Sequence, residues 1–301
     1  MARSAACLTI MLSIAGCGGS GEDTNSVLSL DTGELVETTV TGSVGDGPII
    51  NGRVVITNAS GQVLATQRSD AQANYRIQLN SGRNEFPLLV SVADGTDVVT
   101  GDAPSFELLS AILQPEGEQV VNLNPFGTLT VKIAQRMEGG LSSANVGLAA
   151  SAVRRHLGFG IDARTMGNPM FIVMDEQNAA SVVRSSEALG EAVRRSFATS
   201  LSTGQFGSED EVIDAISADL TDGVLDGLGS EGADPRLSAT MSIVSAQVML
   251  EVLVNRLEVG GAVATQSLDS AIQQVTDGNL SVPLTNTLAV TDSMLSQARV
   301  V

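Results

Sequence analysis

Val120-Val121-Asn122-Leu123-Asn124-Pro125-Phe126-Gly127-Thr128-Leu129 is the stretch on which the reading of this chain turns. Before it, apolar residues recur at every second position; after it, they recur every third or fourth. Pro125 biases Asn124 toward extended backbone and suits the first turn of a helix. A strand-rich part is therefore predicted to end here and a helical part to begin. The two patterns bury different faces, which predicts two separable domains, 39–124 and 125–301.

Working back from the junction, Tyr75, Ile77 and Leu79 alternate with Arg76, Gln78 and Asn80, while Arg53–Thr57 and Leu88–Val92 are short aliphatic and β-branched runs. Asp46-Gly47-Pro48, Asn51-Gly52, Ser60-Gly61, Asp94-Gly95 and Glu116-Gly117 are turn signals between them. Short strands with turns at this spacing predict a small antiparallel β-sandwich. Asp70 and Asn74 fit a turn better than a metal site, because their side chains readily bond nearby backbone.

These residues also carry a family resemblance. Gly42-Ser43-Val44-Gly45-Asp46-Gly47-Pro48-Ile49-Ile50-Asn51-Gly52-Arg53-Val54, the turn at Gly61 and Ser69-Asp70-Ala71-Gln72-Ala73-Asn74-Tyr75 resemble the carboxypeptidase regulatory-like, transthyretin-like domains. The departures are Asn51-Gly52-Arg53 where Gly-Ala is common, and Ala73 where Gly is usual. The resemblance implies a Greek-key sandwich that serves as a spacer or interaction module and brings no catalytic residues. The order of sandwich, junction and helices is also similar to uncharacterised proteobacterial surface lipoproteins with a V-N-x-x-P-x-T-T-L junction, in which Gly127 stands for the first Thr.

Forward of the junction, helices are predicted over Pro125–Met137, Ser142–Leu157, Glu176–Leu201, Ser208–Leu220, Pro235–Leu257, Ser267–Val275 and Pro283–Arg299. Asn124-Pro125, Asp234-Pro235 and Val282-Pro283 supply start signals, and Ser208 to Glu211 fits a capping box. The fold class expected is thus α+β multidomain, a transthyretin- or Ig-like antiparallel sandwich followed by an all-α domain. Leu237 to Leu250 is uncharged but too short to cross a bilayer, for which about 20 apolar residues are needed.

The N-terminus has its own grammar. Arg3 supplies a positive charge, Ala5 to Ala15 an apolar core, and Ile14-Ala15-Gly16-Cys17 an ending. This resembles the lipobox of bacterial lipoproteins, which implies removal of residues 1–16 and lipidation of the Cys17 thiol; Gly18 after it implies outer-membrane sorting. Palmitate and other acyl chains on Cys17 would anchor the protein stably. Residues 17–38, rich in Gly, Ser, Asp, Glu and Thr, read as a flexible tether.

Composition narrows the function. Without the signal, 34 acidic residues face 15 basic ones, a net of 19 negative charges, which disfavours nucleic acid as a partner. With no Trp and one Tyr, stacking platforms for bases or sugars are scarce. The mature chain keeps Cys17 as its one cysteine and His156 as its one histidine, so the common zinc constellations cannot form. His156 closes a helix, an ordinary structural position. Gly227-Leu228-Gly229-Ser230-Glu231-Gly232 has the letters of a dinucleotide fingerprint without a preceding strand.

Asp219, Asp222 and Asp226 are the weak candidates for a cation site. Aligned with a calcium loop from Asp222, they leave Val224 and Ala233 where oxygen ligands are required. The expectation is no catalytic residue, no cofactor and no metal. Two functions stay open: a lipid-anchored envelope module that binds or displays, with other envelope proteins or surface polysaccharide as partners, or an exported carboxylate-dependent hydrolase or its accessory subunit.

Overall fold

A computed structural model describes residues 34–115, 117–161 and 167–276 of the 301. The signal segment, Cys17 and the helix expected over Pro283–Arg299 lie outside the described residues. The described residues form a mixed α+β structure and belong to one compact unit, Gly33–Val301.

Two sheets make up most of the β structure. In the first, β1 (Leu35–Ser43) pairs antiparallel with β5 (Asn74–Gly82) and parallel with β9 (Glu118–Val120). In the second, β3 (Arg53–Thr57) lies between β4 (Val63–Arg68) and β6 (Leu88–Val92), and β6 also pairs with β8 (Leu108–Ile112). The short strands β2 (Ile49–Ile50) and β7 (Thr96–Asp97) pair separately. The alternation legible in the sequence is real burial: Tyr75, Ile77 and Leu79 point into the core and Arg76, Gln78 and Asn80 to solvent. β1 begins inside the segment expected to be tether, because Leu35–Thr38 pair with Leu79–Gly82.

The Asp70 turn is built as anticipated, with Asp70 Oδ1 accepting the Gln72 and Asn74 N–H groups at 2.9 and 2.8 Å. Ala73 sits there at φ 61°, in the left-handed region where Gly carries no penalty.

The described helices are α1 (Pro125–Arg136), α2 (Ser143–Leu157), α3 (Ala179–Ser200), α4 (Glu209–Asp219), α5 (Pro235–Leu253) and α6 (Thr265–Val275). Their starts follow the caps: the Asn124 side chain accepts from Gly127 N–H, Ser142 from Asn145, and Asp234 from Arg236 and Leu237. At α4, Ser208 accepts from Glu211 N–H, while Glu211 reaches back one residue beyond the cap to Gly207 N–H. No helix among the described residues is long and apolar enough to cross a membrane.

The boundary expected at Asn124 is not a break in packing. One apolar cluster runs from Val40 through Leu109, Phe126 and Leu129 to Ile272. All five residues of β8 are buried, because α1 covers the face that the other strands leave open. Thr128 Oγ1 accepts the Leu109 N–H at 2.9 Å, and a Cβ at Gly127 would stand 2.7 Å from the Leu109 carbonyl oxygen. Gly127 is what lets helix and strand approach so closely. The period change marks a change of element type within one core, not the edge of a core.

Candidate functional site

A helix with acids and arginines one turn apart normally turns them to water, and α3 instead turns Glu187, Glu191, Arg194 and Arg195 inward. Glu187 is 0% exposed, Glu191 4%, and the Arg194 and Arg195 side chains 19% each. Small neighbours make this possible. Ser186, Ala188 and Gly190 leave room beside the helix, and the turn Gly45-Asp46-Gly47-Pro48 that follows β1 fills it. A Cβ at Gly190 would overlap the Asp46 carboxylate, and one at Gly47 would overlap Asp97 and stand 2.9 Å from Glu187 Oε2.

Arg194 is the hub. Its Nη1 donates to Asp46 Oδ2 at 2.5 Å, its Nη2 to Glu187 Oε1, and its Nε to Glu191 Oε2 at 2.9 Å. Glu191 Oε1 then accepts from Arg195 Nε at 2.8 Å, and Arg195 forms a two-pronged pair with Glu251 of α5 at 2.7 and 2.8 Å. Arg195 also donates to the Glu258 carbonyl, tying in the hairpin of β10 (Glu258–Val259) and β11 (Ala262–Val263), which turns at Gly260-Gly261. Asp97, 3% exposed, completes the group and accepts from Val99 N–H at 2.8 Å and Thr100 Oγ1 at 3.2 Å.

Four carboxyls thus share two guanidinium groups with Asp97 close by, in a place where an uncompensated charge is costly. Asp46 Oδ1 and Glu187 Oε2 are buried without a hydrogen-bond partner. Burial pushes the Asp46 carboxyl up to about 6, with Arg194 drawing it down and Asp97 and Glu191 adding to the rise. Burial and the Asp46 charge raise Glu187 well above the carboxylate range, and burial raises Asp97 against its backbone hydrogen bond. At Arg194, burial opposes the charge and the surrounding carboxylates outweigh it, so the guanidinium stays protonated. At Glu251, burial is likewise outweighed, by hydrogen bonds from Arg195 and the Glu258 N–H, and its carboxyl is lowered.

The cluster adjoins a cavity of about 20 Å³ lined by Ser43, Val44, Asp46, Asn124, Ser186 and Val275 among others, too small for an organic substrate. Two larger cavities lie elsewhere. One of about 230 Å³ between α1 and α2 includes Ile133, Leu148, Arg155 and Asp222; one of about 280 Å³ beside β1 includes Tyr75, Asn122, Val173 and Met174. Neither brings two carboxyls together.

The acids singled out in the sequence have other work. Asp219 is buried at the end of α4, where Oδ1 accepts Gly227 N–H at 2.6 Å and Oδ2 accepts Ser238 Oγ at 2.5 Å. Asp222 and Asp226 accept the N–H groups of Val224 and Leu228, each two residues on, as turn residues do. Among the described residues no group of three His, Cys, Asp or Glu is arranged to hold a metal ion. The glycines of 227–232 serve packing, since a Cβ at Gly229 would overlap the Asp219 carbonyl and one at Gly227 would overlap Pro235. His156 Nε2 meets the Gly223 carbonyl at 3.0 Å, tying α2 to the same loop.

The Asp46–Arg194 cluster was missed in the sequence. Its one local signal is the spacing Glu187, Glu191, Arg194, Arg195 on a single helix face, which reads equally as a solvated ion-pair stripe. Neither protein-family models, nor curated proteins, nor solved structures provide a match to this chain.

Proposed function

We propose that the chain is a lipid-anchored envelope protein, held through Cys17, whose α+β body is a non-enzymatic binding or display module. The two sheets, in this reading, are a transthyretin-like sandwich of the regulatory-like kind, with the helices packed on its β8 side. The Asp70 turn and the left-handed Ala73, at the position where those domains usually carry Gly, support that reading. Other envelope proteins or surface polysaccharide are the partners that fit. The acidic charge balance speaks against nucleic acid.

The observation that carries the non-enzymatic reading is the sealing of the carboxyl cluster. A glycosidase-like hydrolase needs two acids facing a substrate across an open cleft. Here Asp46 and Glu187 face Arg194 at 3% and 0% exposure, and neither of the larger cavities brings two carboxyls together. The anchor rests on Ile14-Ala15-Gly16-Cys17.

Labelling cells with radioactive palmitate, with membrane fractionation, tests the assignment. The wild-type chain should carry label and sediment with outer membranes, and Cys17→Ser should lose both label and cleavage of the signal. Label retained by Cys17→Ser would overturn the anchor.

A further inference from the structure

We infer that the cluster of Asp46, Asp97, Glu187 and Glu191 around Arg194 is a proton-dependent latch between the 44–48 turn and α3, closed while it holds a proton and loosened when all its carboxyls ionise. Among the described residues the turn reaches α3 through one hydrogen-bonded ion pair, Asp46 Oδ2 with Arg194 Nη1. Arg194 is the hub for Asp46, Glu187 and Glu191, and Glu191 is shared with Arg195, which is itself committed to Glu251. From the sheet side the charged groups facing this point are Asp46 and Asp97; from α3 they are Glu187, Glu191, Arg194 and Arg195; from α5, Glu251.

Fully ionised, these seven groups carry five negative and two positive charges in a largely buried site. A proton on the Asp46 and Glu187 pair removes one of the repelling charges and supplies an O–H donor where Asp46 Oδ1 and Glu187 Oε2 have no partner. Ionisation releases that proton to solvent and leaves two buried like charges where Gly47 and Gly190 have no room for a Cβ between turn and helix. The contact that yields is the turn, because Glu187 and Arg194 are fixed on one helix while Asp46 is 148 residues away in sequence.

Linkage fixes the direction. Carboxyls raised in the folded state stabilise it below their unfolded values, 3.8 for Asp and 4.5 for Glu, and that stabilisation is lost as pH rises through about 6 at Asp46 and through the raised value at Glu187. Each proton held changes the folding equilibrium constant by about tenfold per pH unit across that window.

The test is urea unfolding of the full chain from pH 4 to pH 8, together with hydrogen exchange of residues 44–50 and a carbon-13 carboxyl titration. The wild type should lose stability as pH rises, and the 44–50 amides should exchange faster than the intrinsic pH dependence requires. Glu187→Gln and Asp46→Asn should each flatten the stability profile by about one tenfold step per pH unit, whereas the exposed Glu176→Gln leaves it unchanged. Equal slopes in the wild type and both cluster variants would overturn the latch. If neither variant folds, the wild-type titration decides: a cluster carboxyl still protonated above pH 6 supports it, and all carboxyls ionising at ordinary values overturns it.

Discussion

Gly190 of α3 and Asp46 of the turn after β1 occupy one space: the Asp46 carboxylate stands where a Cβ on residue 190 would be. A glycine inside a helix ordinarily costs about 1 kcal/mol relative to alanine. Gly190→Ala should therefore run against propensity, lowering stability by about 2–4 kcal/mol as Asp46 is driven from Arg194. Gly147→Ala on α2, where nothing lies within 4 Å, should gain up to about 1 kcal/mol. Urea midpoints for the pair check both signs.

Arg194→Met removes the hub while leaving the buried acids in place. Breaking a buried pair from one side costs about 3–5 kcal/mol, and Arg194→Lys should recover little of it. A lysine offers one point charge in place of a planar group that reaches three carboxyls through Nε, Nη1 and Nη2. Thermal unfolding of the two variants at one pH would show nearly equal losses; full recovery by lysine would contradict the geometry.

Asn124 joins the sheet to α1 and to the loop before α3. Its Oδ1 caps the helix at Gly127 N–H, 2.8 Å away, and its Nδ2 donates to the Pro169 carbonyl at 3.2 Å. Asn124→Ala should cost about 1–2 kcal/mol from the cap alone, read as a drop in the urea midpoint without change of slope.

Tyr75 puts its hydroxyl, raised by burial, on the Val121 carbonyl at 2.6 Å. Tyr75→Phe should lower stability by about 1–2 kcal/mol, because the carbonyl loses its donor inside the core, and calorimetry should register a single transition at reduced temperature.

Local features were legible in the sequence where a few consecutive residues decide them. The start signals at Asn124, Ser208 and Asp234 placed three helix starts, and the alternation at Tyr75, Ile77 and Leu79 gave the buried face of β5. Boundaries moved where a local turn competes. α3 begins at Ala179, not Glu176, because Asp175 Oδ1 accepts from Gln177 and Asn178 and holds them in a turn. α5 stops at Leu253, short of Leu257, as Asn255 turns left-handed at φ 54°. The carboxyl cluster was illegible because its members are spread over four stretches of chain, and Asp46-Gly47-Pro48 looks like any turn until α3 is placed beside it. The shared core was hidden by the same logic, since a change of period reports which face is buried and not what it is buried against.

The shared core makes the two halves of the chain depend on one another. Residues 34–124 and 125–301, expressed apart, each lose the partner that covers β8 and the cluster at Arg194. Far-ultraviolet circular dichroism and urea titration of the two fragments and of the whole chain should show one cooperative transition for the whole and none for either fragment alone. Two fragments that each unfold cooperatively, with midpoints matching the whole chain, would contradict a single core crossing Asn124.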